Sequence, residues 1–189
     1  MRRTNSPRSL ALTAASVAVA IACAGAAAPA FASLEVGAQA PDFTAPAYLK
    51  GKPFTFKLAD ALKKGPVVVY FFPAVHTPGC NLEAHLFSES IGKFKAAHAT
   101  VIGVSAGKVD EMAAFSKETE HCGGKFPVAA DAGAKIAAQY DALLPQKPEL
   151  SARTSYVIGE DGKIAHVYSE MNPNGHVKET LAAVQSLKK

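Results

Sequence analysis

The chain has 189 residues, of which 49% are hydrophobic and 19% charged, and its formal net charge is +4. Such a composition excludes disordered and collagen-like chains, and the length suits one domain with or without a targeting segment. Without residues 1–32, which carry three arginines and no acids, the charge falls to +1, so the rest offers no electrostatic case for nucleic acid or an anionic membrane.

Residues 1–32 read as a signal peptide. Arg2, Arg3 and Arg8 form a positive start, an apolar run extends from about Leu10 to Ala28, and Pro29-Ala30-Phe31-Ala32 is a cleavage site of small residues. The run is Ala-rich and short for a membrane span. Ala20-Ile21-Ala22 before Cys23 is a poor lipoprotein signal, and Thr4-Asn5-Ser6 does not support twin-arginine export. The expectation is an exported domain of residues 33–189, periplasmic or secreted, with a membrane-anchored or lipoprotein form as the alternative. That domain holds two cysteines, Cys80 and Cys122, and a structural disulfide is the plainest use of a pair in an exported protein.

Ser33 to Lys52 reads as an irregular entry punctuated by Pro41, Pro46 and Pro53. Phe54-Thr55-Phe56 is a short alternating strand, and Leu58 to Lys63 a short helix stopped by Gly65-Pro66. The continuous run Val67 to Phe72 fits a central strand buried on both faces. A helix follows Thr77, with Leu82, Leu86, Phe87, Ile91 and Phe94 at three- and four-residue spacing. Val101 to Val104 is the next strand, so strand, helix and strand form a parallel βαβ unit.

A second helix is expected over Val109 to Glu120, with Met112, Ala113 and Phe115 inward. Phe126-Pro127-Val128 suggests a short edge strand, and Ala134 to Tyr140 a helix. Asp161-Gly162 between Thr154–Ile158 and Ile164–Tyr168 signals a hairpin. A helix from Val177 to Leu187 closes the chain. The expected fold is α/β: a thioredoxin-like mixed central sheet flanked by helices on both faces.

The chemistry concentrates in Pro73-Ala74-Val75-His76-Thr77-Pro78-Gly79-Cys80. Thr77 is a suitable N-cap, and Pro78 suits the first helical position, which needs no amide hydrogen. Cys80 then falls in the first turn, near free backbone N–H groups and the positive end of the helix dipole, where thiolate is favoured over thiol. The end of a parallel strand is also where α/β proteins set their sites.

This run resembles the active-site signature of the peroxiredoxins, Pro-x-x-x-Thr-x-x-Cys. Thr77-Pro78-Gly79-Cys80 with Glu83-Ala84 is similar to the peroxiredoxin Q (bacterioferritin comigratory protein) branch. Pro41-Asp42-Phe43 and Arg153-Thr154-Ser155-Tyr156-Val157-Ile158 occur in the same order as in that family. The resemblance implies a peroxidase that reduces hydrogen peroxide and organic hydroperoxides through a sulfenic acid on Cys80. Thr77 would accept from the peroxide. Arg153 would stabilise the thiolate and the separating oxygens. Pro73 would shield the site, the backbone of Gly79 and Cys80 would add donors, and Glu83 would orient the network. His76 has no part in the signature. The resemblance implies no cofactor and no metal, a thioredoxin-like or glutathione-like thiol reductant, and a monomer or homodimer.

Many members of that branch carry a resolving cysteine five residues after the first, where this chain has His85. Another arrangement of the family puts the resolver on the next helix, which nominates Cys122 in Glu120-His121-Cys122-Gly123-Gly124. One-cysteine behaviour and an inter-subunit disulfide remain open beside it. A thiol–disulfide oxidoreductase of the same fold would want cysteine at Glu83, and a copper-binding relative would want one at Ala84.

Overall fold

The structure, a computed structural model, describes Met1 and residues 33–187. Beyond Met1, the signal-peptide reading of residues 1–32 lies outside the described residues. In chain order the elements are β1 (Thr44–Leu49), β2 (Lys52–Lys57), α1 (Leu58–Leu62), β3 (Val67–Phe71), α2 (Pro78–Ala96), β4 (Thr100–Ser105), α3 (Met112–Lys117), β5 (Val128–Ala130), α4 (Lys135–Gln139), β6 (Leu143–Leu144), β7 (Lys147–Ser151), β8 (Thr154–Ile158), β9 (Ile164–Ser169) and α5 (His176–Ser186). Among them no helix is long and apolar enough to cross a membrane.

Seven strands form one sheet in the order β2-β1-β5-β4-β3-β8-β9, and β6 pairs with β7 apart from it. β3, β4 and β5 are parallel neighbours, whereas β8 and β9 add as an antiparallel hairpin on one side and β1 and β2 on the other. The sheet is therefore mixed. Every residue of β3 is buried because the strand lies mid-sheet with both faces covered.

Alternation along β3 divides its side chains between two apolar cores. Val67, Val69 and Phe71 pack with Phe43, Tyr140 and Tyr156, under α1 and α4. Val68, Tyr70 and Phe72 pack on the opposite face with Phe87, Phe94, Phe115 and Phe126, under α2, α3 and α5. Tyr70 stacks on Phe87 at 4.5 Å and on Phe72 at 5.4 Å between ring centroids, contacts worth about 0.5–1.5 kcal/mol each beyond the area they bury.

Four expectations need correction. The entry segment contains β1, whose Ala45 and Ala47 are buried despite the flanking Pro46. β5 is no edge strand, because β1 pairs along its outer side. The helix expected to Glu120 ends at Lys117: Glu118 is extended, and Gly123 and Gly124 hold positive φ of 57° and 64°. The buried stripe of α2 is Cys80, Glu83, Ala84, Phe87, Ser88, Ile91 and Phe94, while Leu82 is exposed and Leu86 only half-buried.

Candidate active site

β3 ends at Phe71, and the chain turns through His76, which holds φ at +58°, into α2. Thr77 occupies the N-cap position with extended backbone, and Pro78 is the first helical residue. The Thr77 side chain does not cap the helix, as its position in the sequence suggested. Its hydroxyl instead donates to the Ala74 carbonyl at 3.0 Å, bracing the loop. Cys80 is thus the third residue of a 19-residue helix and is 1% exposed.

Sheet register delivers the cation. Phe71 of β3 pairs with Thr154 of β8, so Arg153, one residue earlier, stands beside the loop that follows β3. Its guanidinium fork serves three acceptors: Nη2 donates to Cys80 Sγ at 3.4 Å, Nη1 donates to Glu83 Oε2, and Nε donates to the Met171 carbonyl at 2.9 Å. A Cβ at position 79 would come within 3.0 Å of Nη2, so Gly79 is what lets the guanidinium lie against the first turn. Pro73 is half-buried at the mouth of the loop, its carbonyl accepting from Ser105 Oγ at 3.2 Å.

Glu83, one turn beyond Cys80, is fully buried. Burial pushes its carboxyl up to about 8, and the charge and hydrogen bond of Arg153 oppose part of that rise. The Glu83 and Cys80 charges keep Arg153 above its ordinary value despite its burial. Glu83 Oε1 has no hydrogen-bond partner and lies 3.5 Å from His176 Nδ1.

The sequence match agrees with this geometry: residues 36–167 match the AhpC/TSA family. The chain belongs to that family. Peroxiredoxin Q of Sedum lineare is 35% identical over 159 residues, covering 84% of this chain and 82% of its own. That of Populus jackii is 34% identical over 158 residues, covering 83% and 71%. Among solved structures, peroxidoxin BcpB of Mycobacterium tuberculosis superposes with a TM-score of 0.73 at 28% identity, covering 82% of this chain and 99% of its own. The chain is a peroxiredoxin of thioredoxin-like fold, an enzyme that reduces peroxides with a thiol.

The peroxiredoxin fold brings Cys80, Thr77, Gly79, Glu83, Arg153 and Pro73 to one end of β3. Cys122 shares the apolar core beneath α2 with Cys80, Tyr70 and Phe126, and both cysteines are free thiols in this structure. Burial pushes the Cys122 thiol far up, and the Glu118 carboxylate adds to that. It lies in the turns after α3, where Gly123 and Gly124 donate back to the carbonyls of Glu118 and Ser116 at 2.9 Å.

Sequence reasoning missed His176. It is fully buried at the start of α5, hydrogen-bonded through Nδ1 to Ser155 Oγ and through Nε2 to the Glu170 carbonyl, each at 2.8 Å. A carbonyl can only accept, so Nε2 carries the proton and Nδ1 accepts from Ser155. Burial lowers the imidazole to about 4, so it stays neutral near pH 7. Its only sequence signal was its place just before the closing helix, which the structure starts one residue earlier than Val177, at His176 itself.

Proposed function

We propose that Cys80 is the peroxidatic nucleophile and that Arg153, Thr77, Pro73, Gly79 and Glu83 serve it. The observation that carries this is the Arg153 Nη2 contact with Cys80 Sγ at 3.4 Å, in the first turn of a long helix. The Cys80 thiolate attacks one oxygen of ROOH, the O–O bond breaks, and the products are a Cys80 sulfenic acid and RO⁻, which takes a proton to become ROH. Negative charge moves from sulfur to the departing oxygen, and the Arg153 cation faces that path. The Thr77 hydroxyl spends its proton on Ala74, so its lone pairs are free to accept from the peroxide O–H. Because burial opposes the Glu83 charge, that carboxyl orients the guanidinium without taking all of its charge from the sulfur.

Cys122 resolves the intermediate in this reading. Its thiolate attacks the sulfenic sulfur, the S–O bond breaks, and the products are a Cys80–Cys122 disulfide and hydroxide, which takes a proton to become water. A buried thiol with a raised proton affinity does not do this in place, so the turns from Glu118 to Phe126 open first, hinged on Gly123 and Gly124. A thioredoxin-like or glutathione-like thiol then restores both cysteines. The mature protein is exported, periplasmic or secreted, on the strength of Arg2, Arg3, Arg8, the apolar run and Ala30–Ala32. It acts as a monomer or homodimer.

The test is intact mass after one equivalent of hydrogen peroxide, with peptide mapping. A loss of two hydrogens mapped to Cys80–Cys122, abolished by Cys80→Ser, is the expected result. A trapped sulfenic acid on Cys80 alone would remove Cys122 from the cycle. An unchanged mass, or full turnover by Cys80→Ser, would remove Cys80 as the nucleophile.

A further inference from the structure

The peroxide chemistry leaves His76 and His121 without a task, yet the fold draws them together around Glu118. One ring nitrogen from each histidine and a Glu118 carboxylate oxygen lie within 4.8 Å of one another. His76 Nδ1 is 3.6 Å from Glu118 Oε2, and His121 Nε2 is 3.3 Å from the same oxygen. Charge-assisted hydrogen bonds are shorter, about 2.7–2.9 Å. Two ligand atoms each about 2.1 Å from a tetrahedral ion stand roughly 3.4 Å apart. The two distances to Glu118 fit edges of a coordination tetrahedron better than they fit hydrogen bonds.

Two further features frame the cluster. The other nitrogen of His76, Nε2, faces Glu111 Oε2 at 3.5 Å, so a small closure of Glu111 would complete the carboxylate–histidine arrangement that backs metal-bound imidazoles. His121 is only 9% exposed, and Nε2 is the nitrogen it turns to Glu118, while its Nδ1 has no hydrogen-bond partner. The Phe115 ring lies against both imidazoles, with centroids 5.5 Å from His76 and 4.9 Å from His121, and limits how far either can turn.

We propose that His76, Glu118 and His121 bind one divalent cation of the zinc class, with water in the fourth position and Glu111 holding His76 from behind. Two imidazoles and one carboxylate suit zinc. Calcium and magnesium want oxygen donors throughout, and cuprous copper wants sulfur. Neither Cys80 nor Cys122 belongs to the set. The cation would join the loop just before Thr77 to the turn just before Cys122, two segments otherwise far apart in sequence. The assignment stands independently of any peroxide chemistry at Cys80.

The test is titration of the reduced protein with Zn²⁺ against a chromophoric chelator, repeated with Co²⁺ for its visible spectrum. One equivalent of zinc should bind. Cobalt should give tetrahedral d–d bands without the ultraviolet thiolate-to-cobalt charge-transfer band. His76→Asn, since asparagine accepts the positive φ of this position, should weaken binding at least tenfold, and Glu111→Gln about tenfold. Cys80→Ser should leave it intact. Failure to bind a stoichiometric ion overturns the proposal. So does binding that survives His76→Asn, or binding that Cys80→Ser abolishes, since the ion would then sit on sulfur.

Discussion

Replacing Arg153 by alanine removes three donated hydrogen bonds at once, to Cys80 Sγ, Glu83 and the Met171 carbonyl. The first bears on rate. A hydrogen bond to a charged group is worth about 1.5–3 kcal/mol, and losing it from the transition state slows Cys80 oxidation by roughly 10- to 150-fold. The second bears on stability. Stripping the partner from a buried ion costs about 3–5 kcal/mol when the remaining charge persists. Glu83 does not have to keep its charge: its carboxyl is already held at about 8 with Arg153 present, and rises further without it. The variant should therefore be folded at pH 7 with a protonated Glu83, and lose stability relative to the parent as pH rises above 8. The chain has no tryptophan, so the rate is best read by quench-flow, with alkylation of unreacted Cys80 and intact mass, and stability by urea unfolding followed by circular dichroism. Arg153→Lys, which keeps the charge and loses the planar fork, should fall between the two. A folded Arg153→Ala protein that oxidises within threefold of the parent would refute the role assigned to this contact.

Two buried groups make opposite contributions to stability against pH. His176 is lowered from 6.5 to about 4, so its contribution is present above pH 6.5 and is lost as pH falls toward 4. Glu83 is raised from 4.5 to about 8, so its contribution is present below pH 4.5 and is lost as pH rises toward 8. Between pH 4.5 and 6.5 the two slopes cancel and the parent should be nearly flat. His176→Gln should then gain stability on acidification across that window and Glu83→Gln should lose it, each by roughly 2–3 kcal/mol; parallel urea-midpoint profiles for all three proteins would contradict these assignments. Gly79→Ala should fold with near-parental stability, because alanine suits a first helical turn, yet oxidise at least fivefold more slowly, because its methyl presses on Arg153 Nη2. Equal quench-flow rates for Gly79→Ala and the parent would show that the guanidinium has room to spare.

The sequence made the centre of the fold readable. Val67 to Phe72, a short β-branched and aromatic run, fits a doubly buried strand, and Thr77-Pro78-Gly79-Cys80 marks a helix entrance. What stayed hidden depends on partners distant in the chain. That Glu83 is fully buried follows only once Arg153, seventy residues away, is brought against it by the β3–β8 pairing, and Leu82 beside it then reads wrongly as the inward residue. β1 is masked by Pro46, because its strand character comes from pairing with β2 and β5 rather than from its own propensity. His176, Ser155 and Glu83 meet only once α5 lies across α2 and β8. The turn carrying Cys122 looks like a helix in its periodicity and ceases to be one at residues whose backbone angles no apolar pattern encodes.

The two apolar cores on either side of β3 share no side chain. Both cysteines belong to one of them, so a substitution at Phe87 or Phe126 alters durability and reactivity together. A substitution at Phe43, Phe56 or Tyr140 alters durability alone, since those rings lie beyond the sheet from the sulfur atoms. Robustness and redox tempo can thus drift separately in this chain, and an engineer could harden one side while leaving the timing of the other untouched.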